Sequence, residues 1–147
     1  MPIDVDTVLV PLDGSDAALE AIEFGLAIAD RYGADVHILY VFGETVARGL
    51  ESGDVEEVEL RKESEAVLAD VQAMAPDGVA IDSSIALGFT RTRKTVHPGS
   101  VILDQAEQLD ADFLVVPRET MGRGQDTVLE KAAEYVLLYA SQPVLSV

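Results

Sequence analysis

Thr7-Val8-Leu9-Val10-Pro11-Leu12-Asp13-Gly14-Ser15 reads as a buried strand that ends in a turn and passes at once into a helix. The apolar run has the length and β-branched content of a strand covered on both faces, and Asp13-Gly14 punctuates it. Ser15 is a good N-cap, because its hydroxyl can accept from a free backbone N–H of the first helical turn. Such a strand delivers one carboxylate, Asp13, to the carboxyl edge of a sheet. In open α/β proteins that is the edge where ligands bind.

Working outward, the same unit recurs. Leu19, Ile22, Leu26 and Ala29 step at helical spacing, Asp16 and Glu20 suit the helix start, and Tyr32-Gly33 closes the helix with a C′ glycine. Residues 36–42 are almost continuously apolar, as in a strand buried on both faces of a parallel sheet. Residues 43–53 read as a mixed connection without a period. A second helix is expected over 55–74, with Leu60, Val67, Val71 and Met74 on one side. Glu56, Glu57, Glu59, Lys62, Glu63 and Glu65 form its solvated face.

Pro76-Asp77-Gly78 breaks that helix, and residues 79–87 read as a third strand near an edge of the sheet. A basic connection, 88–97, leads to a third helix over 100–109 and a fourth strand over 112–117. A loop over 118–126 precedes a last helix, 127–140, with Val128, Leu129, Ala132, Val136 and Leu137 inward. Residues 142–147 form a fifth strand. Strands alternating with helices imply parallel pairing through right-handed crossovers, hence an α/β fold with an open parallel sheet and helices on both faces. No internal repeat, linker or second domain interrupts the 147 residues, which read as one domain.

Charge narrows the function classes. Twenty-seven acids against ten bases give a formal net charge of −17, and the lysines are Lys62, Lys94 and Lys131 alone. An acidic, lysine-poor chain with an apolar share of 48% reads as a protein of a salt-loving cytoplasm. With no basic face, binding to nucleic acid or an anionic membrane is disfavoured. No apolar run approaches the ~20 residues of a membrane helix, and the acidic opening residues do not read as a signal peptide. The absence of cysteine excludes disulfides, thiol nucleophiles and Cys-ligated metals.

Several common chemistries are also absent. No G-x-G-x-x-G or Walker A loop opens the first helix. A phosphoacceptor domain would want paired acids where Asp13 stands alone. His37, in mid-strand, reads as satisfied locally, and His97 falls in a loop; together they make no metal site. No histidine is placed to activate Ser15.

Val10-Pro11-Leu12-Asp13-Gly14-Ser15, followed by Ala17-Ala18-Leu19, resembles the opening of the universal stress proteins. Residues 35–42 resemble their second strand, Ala111-Asp112-Phe113-Leu114-Val115-Val116 their fourth, and residues 140–147 their ending. The resemblance spans almost the whole chain. It implies a five-stranded sheet of order 3-2-1-4-5 and homodimers that pair through the last strand. In the nucleotide-binding branch of that family, ATP or AMP is the ligand, and adenine lies against the ends of strands one and two. Here those positions are Pro11, Leu12, Asp13 and Val41. From the residues themselves, Asp13 reads equally well as a turn residue bonded to its own backbone.

The phosphate half departs from the family pattern of Gly, two residues, Gly, nine residues, then Gly-Ser or Gly-Thr. Glycines let backbone N–H groups close on phosphate. Aligned from the last helix, this chain carries Pro117, Thr120 and Glu130-Lys131 at those places. Proline has no N–H to offer, and Glu130 brings a negative charge to the polyphosphate position. Gly122-Arg123-Gly124 replaces part of the loop only with a shifted gap. Two basic clusters leave the same sheet edge: Arg91, Arg93 and Lys94, then Arg118 and Arg123. They suit a small anionic ligand through bidentate contacts; ion pairs with the abundant acids are the weightier reading.

The first expectation is therefore a non-enzymatic, homodimeric cytoplasmic stress-response or regulatory module with weak or lost ATP binding. A second is an ATP- or AMP-binding protein with slow hydrolysis or phosphotransfer, using Asp13 and Val41 for adenine and Arg118, Arg123 and Arg91 for phosphates. A third is a purely structural dimerisation or docking domain. No constellation supplies a general base or metal site, which sets the enzyme reading below the others.

Overall fold

The computed structural model describes residues 4–13, 16–42, 44–87, 98–117 and 128–147. In chain order the elements are β1 (Thr7–Leu12), α1 (Asp16–Tyr32), β2 (Asp35–Phe42), α2 (Glu44–Ser52) and α3 (Glu57–Met74). There follow β3 (Ile81–Leu87), α4 (Pro98–Gln108), β4 (Phe113–Val116), α5 (Val128–Tyr139) and β5 (Val144–Ser146). The five strands form one sheet in the order β3-β2-β1-β4-β5, as the resemblance implied. Every pairing is parallel.

Alternation along the strands divides the core in two. Val8, Val10, Leu12, Val36, Ile38 and Tyr40 meet Ile22, Leu26 and Ala29 of α1 and Leu60 and Val71 of α3. Leu9, Leu39, Val41, Leu114 and Val116 face the other way, onto Ile102 and Ala106 of α4 and Ala132, Ala133 and Val136 of α5. The continuous apolarity of β1 and β2 is thus that of central strands buried on both sides. Gly33 closes α1 at φ 67°, the left-handed conformation that C′ glycines accept without strain.

Some sequence expectations are corrected. Residues 44–52, read as an irregular connection, form helix α2. Its period is masked by Gly49, which is glycine for packing: a Cβ there would lie 2.4 Å from Val55 Cγ2. Val55 N–H donates to the Gly49 carbonyl at 3.0 Å, and Leu50 and Val55 pack against the core. Helix α3 consequently starts at Glu57 and not at residue 55, and β3 starts at Ile81 and not at 79. Met74 and Leu137, expected to face inward, are 44% and 51% exposed; Ala133 takes the inward place on α5. Among the described residues, no helix is long and apolar enough to cross a membrane.

One polar clamp registers β4 on β1. The Asp112 carboxylate accepts from the backbone N–H groups of Asp6 at 2.8 Å and Thr7 at 3.0 Å, while Asp112 N–H donates to the Thr7 carbonyl at 2.9 Å. Asp112→Ala leaves two amides, the Asp6 one exposed and the Thr7 one part-buried, without their acceptor. A loss of about 1–3 kcal/mol in urea unfolding is expected.

Candidate functional site: the crevice at the end of β1

The chain leaves β1 for β2 and β3 on one side, and reaches β4 and β5 on the other. The sheet therefore reverses its strand order between β1 and β4. At such a switch point the loops diverge and leave a crevice beyond the carboxyl ends. The pairing shows how it opens. β1 and β2 pair through six positions, Thr7↔Asp35 to Leu12↔Tyr40, whereas β1 and β4 pair only at Val8↔Phe113 and Leu9↔Leu114.

Pro11 accounts for the difference. Along a parallel strand, the backbone groups of alternate residues point to alternate neighbours. The Thr7 carbonyl accepts from Asp112 on the β4 side, and the Asp6 carbonyl accepts from Asp35 on the β2 side. Thr7, Leu9 and Pro11 thus address β4, while Val8, Val10 and Leu12 address β2. The next N–H due to β4 after Leu9 is the one proline lacks. The ladder ends there, and β1 and β4 are free to part.

The same parity places Val41. Asp35 addresses β1, and Val36 N–H donates to Ala80 on the β3 side. Val41, in the Asp35 set, therefore turns its backbone toward β1, one position past the last β1·β2 pair. Its side chain is buried in the α4–α5 core, as Leu12's is in the α1–α3 core. Val41 and Leu12 have only main-chain groups to offer a ligand at this edge. Asp13 follows at the end of β1, half-buried, with its Oδ2 closed to solvent. Pro11, Leu12, Asp13 and Val41 thus do come together at one corner of the crevice.

The opposite wall is less completely described. Pro117, at the end of β4, is buried. Arg91, Arg93, Lys94, Arg118, Thr120, Gly122, Arg123 and Gly124 lie outside the described residues, as do Gly14, Ser15 and His97. Glu130 and Lys131 fall in the first turn of α5, with their side chains undescribed. The phosphate-side cluster read from the sequence is therefore neither assembled nor dispersed by the structure.

Two residues that the sequence did not single out for this corner belong to it. Tyr40, opposite Leu12 and 3% exposed, stacks on Phe42 with ring centroids 4.7 Å apart. Its hydroxyl donates to Glu63 Oε1 on α3 at 3.2 Å. Burial pushes the phenol far above its ordinary range, and the charges of Glu63 and Asp13 push it further. Glu63 reads in the sequence as one more member of a solvated acidic face. Only the tertiary fold brings Tyr40 to it.

His37 is placed away from this corner. Its Nε2 is 2.8 Å from Ser84 Oγ on β3, a local partner of the kind expected from the sequence. Desolvation lowers its pKa below 6.5, against the smaller opposing pull of Asp82. The unfolded chain then binds more protons below pH 6.5, so His37 contributes stability above that pH and loses it as the pH falls. His37→Gln is expected to flatten the stability profile just below pH 6.5, measured by urea unfolding against the parent. Among the described residues, no group of three His, Asp or Glu could hold a metal ion.

The sequence pattern of the universal stress protein family matches residues 5–147. A universal stress protein of Methanocaldococcus jannaschii is 31% identical over 144 residues, covering 95% of this chain and 80% of the relative. The solved structure of universal stress protein UspA from Lactobacillus plantarum superposes with a TM-score of 0.73 at 22% identity, over 99% of both chains. A universal stress protein in complex with cAMP superposes with a TM-score of 0.68 at 22% identity, over 99% of this chain and 98% of that one. These structural likenesses reinforce the fold, while the family match and the archaeal relative establish kinship: the chain belongs to the universal stress protein family.

Proposed function

We propose that this universal stress protein is a single-domain, non-enzymatic, homodimeric stress-response or regulatory module of the cytoplasm. Its crevice keeps the adenine-reading half of a nucleotide site and has lost the phosphate-reading half. The observation that carries this reading is the corner where Asp13, after β1, and Val41, on β2, each stand one position past the last β1·β2 pair. A carboxylate accepts from an exocyclic amino group, and strand-end amides and carbonyls suit the ring edge. The cAMP complex of a structural neighbour makes an adenine nucleotide the natural class of ligand.

The phosphate side supports the rest. Buried Pro117 offers no N–H where the family pattern has glycine, and Glu130-Lys131 stands in place of Gly-Ser or Gly-Thr. The basic residues Arg91, Arg93, Lys94, Arg118 and Arg123, with Thr120, Gly122, Gly124 and Lys131, then serve ion pairs or a different small anion. For the homodimer, β5 lies at the sheet edge, with Leu137, Leu138 and Tyr139 exposed at the end of the preceding helix. An edge strand and an apolar patch are features that a second copy can cover.

Thermal unfolding in 1 M KCl tests this, with and without AMP, ATP-Mg and phosphate. Ligands that bind the native state raise the melting temperature by mass action, so at ten times Kd a rise of about 3–6 °C is expected. AMP and ATP-Mg should shift it alike, phosphate alone should not, and Asp13→Ala should remove the shift. Sedimentation of the same samples should give the mass of two chains. A shift with ATP-Mg well beyond that with AMP would show a working phosphate half and overturn the reading. No shift with either nucleotide would leave the docking-domain reading in its place.

A further inference from the structure

Strand β3 ends the sheet opposite β5, and among the described residues no strand pairs with its outer side. The parity of the ladder shows what that side offers. Val36 N–H donates to the Ala80 carbonyl, so Ala80, Asp82, Ser84 and Ala86 address β2. Ile81, Ser83, Ile85 and Leu87 turn their backbone N–H and C=O groups the other way, off the edge of the sheet.

Edges of this kind are ordinarily blunted by lysine, proline, a bulge or very short length. β3 has none of these. It is seven residues long, Ile81-Asp82-Ser83-Ser84-Ile85-Ala86-Leu87, without lysine or proline. Its register on β2 runs unbroken from Val36↔Ile81 to Phe42↔Leu87. Asp82 is its only charge, and Ile85 is 40% exposed.

The strand is also complementary to itself. Laid antiparallel on a second copy with full overlap, Ser84 falls on the two-fold axis. Ile81 then pairs with Leu87 of the second copy, and Ser83 with Ile85. These are hydrogen-bonded pairs, because all four residues point off the edge, and every outward N–H and C=O of both strands is used. The residues between them form the closer, non-hydrogen-bonded pairs. Ser84 meets Ser84 of the second copy, where two hydroxyls can bond, and Asp82 meets Ala86, not its own like. Helix α3 covers one face of β3, so the joined sheet carries both acidic α3 helices on the same side. Pairing therefore needs salt.

We propose that the β3 edge is a docking surface for a second copy of this chain, joined antiparallel about Ser84. It lies at the far end of the sheet from β5, so it is independent of the homodimer contact proposed above and extends assembly in one direction. A single strand pair is a weak contact. A Kd of about 1 mM is expected, so dilute samples keep the mass set by β5 alone.

Small-angle X-ray scattering in 1 M KCl tests this as the chain is concentrated to about 1 mM, near the expected Kd. The mean mass should rise clearly above its dilute value. Ser83→Pro should hold it there: the Ser83 N–H points off the sheet, so proline spares the β2·β3 ladder and blocks only the edge. If that variant folds poorly, Ile85→Lys blunts the same edge at an exposed position and should act alike. A wild-type mass that does not rise, or one that rises equally in the folded edge variant, overturns the proposal.

Cross-linking reads the register. The chain has no cysteine, so Ser84→Cys introduces its only thiol. Across the two-fold axis the two introduced thiols lie within reach of a disulfide. In Asp82→Cys they stand about 14 Å apart along the strands, beyond it. Mild oxidation of the concentrated protein should link Ser84→Cys about tenfold faster than Asp82→Cys. Equal rates would mean that the copies meet in no such register, and the proposal fails.

Discussion

Leu9→Ala is expected to remove about 2–5 kcal/mol of unfolding free energy, a large share of the 5–15 kcal/mol typical of a domain. Leu9 is fully buried and forms, with Leu114, the last pair joining β1 to β4 before Pro11 ends the ladder. Its side chain lies in the cluster of Leu39, Val41, Ile102 and Leu114 beneath α4 and α5. The site cannot collapse easily around a missing side chain, because β1 is held by hydrogen bonds to strands on both sides. Leu19→Ala is the control: Leu19 is 52% exposed, and its loss should stay within about 0.5 kcal/mol. Urea unfolding of both variants in 1 M KCl reads the difference. A loss below about 1 kcal/mol for Leu9→Ala would show that the floor of the crevice relaxes, contrary to close-packed burial.

Leu9 also shows what sequence reasoning reaches in this chain. Strands β1 and β2 are legible because central parallel strands need apolar residues on both faces, and that leaves an uninterrupted run. Helix α1 is legible because its start, stripe and C′ glycine agree. Helix α2 is not, because Gly49 is there to let Val55 approach and so reads as a loop residue. Leu19, Met74 and Leu137 fall at apolar spacing yet stay exposed, since periodicity says which residues share a face but not how far the sheet extends beneath it.

The site follows the same division. As neighbours at the strand-end corner, Asp13 was legible through the strand-turn-helix pattern and Val41 through the family the chain resembles. Pro11 was legible as part of β1, but its physical part is seen only in the ladder: it withholds the N–H that would have kept β1 and β4 together. Tyr40 and Glu63 are 23 residues apart and belong to a strand and a helix that each look ordinary alone. No local pattern marks a hydrogen bond made by tertiary approach.

The largest expected effect after Leu9→Ala comes from the solvent. A net charge of −17 on one folded chain is a considerable self-repulsion. For this length the folded radius is about 15–20 Å and the unfolded about 40 Å, so folding concentrates the charge. The screening length falls from about 30 Å at 0.01 M salt to about 3 Å at 1 M. Treated as charged spheres in water, the two states differ in repulsion by an amount that changes on the order of 10 kcal/mol between those salts. That is comparable with the entire stability of a domain. Among the described residues, the Arg61–Glu57 pair on α3, at 2.9 Å, does little against it, because both side chains are mostly exposed. The chain should therefore be folded in 1 M KCl and marginal or unfolded in 10 mM KCl, as a protein suited to a high-salt cytoplasm would be. Glu59→Gln with Glu65→Gln, both exposed on α3, separates screening from other effects of salt. Removing two of the seventeen net charges should add about 2–4 kcal/mol in low salt and about 1 kcal/mol or less at 1 M. Equal gains at both salts would assign the effect to helix propensity, and stability that ignores KCl altogether would overturn the reading of this composition as one made for salt.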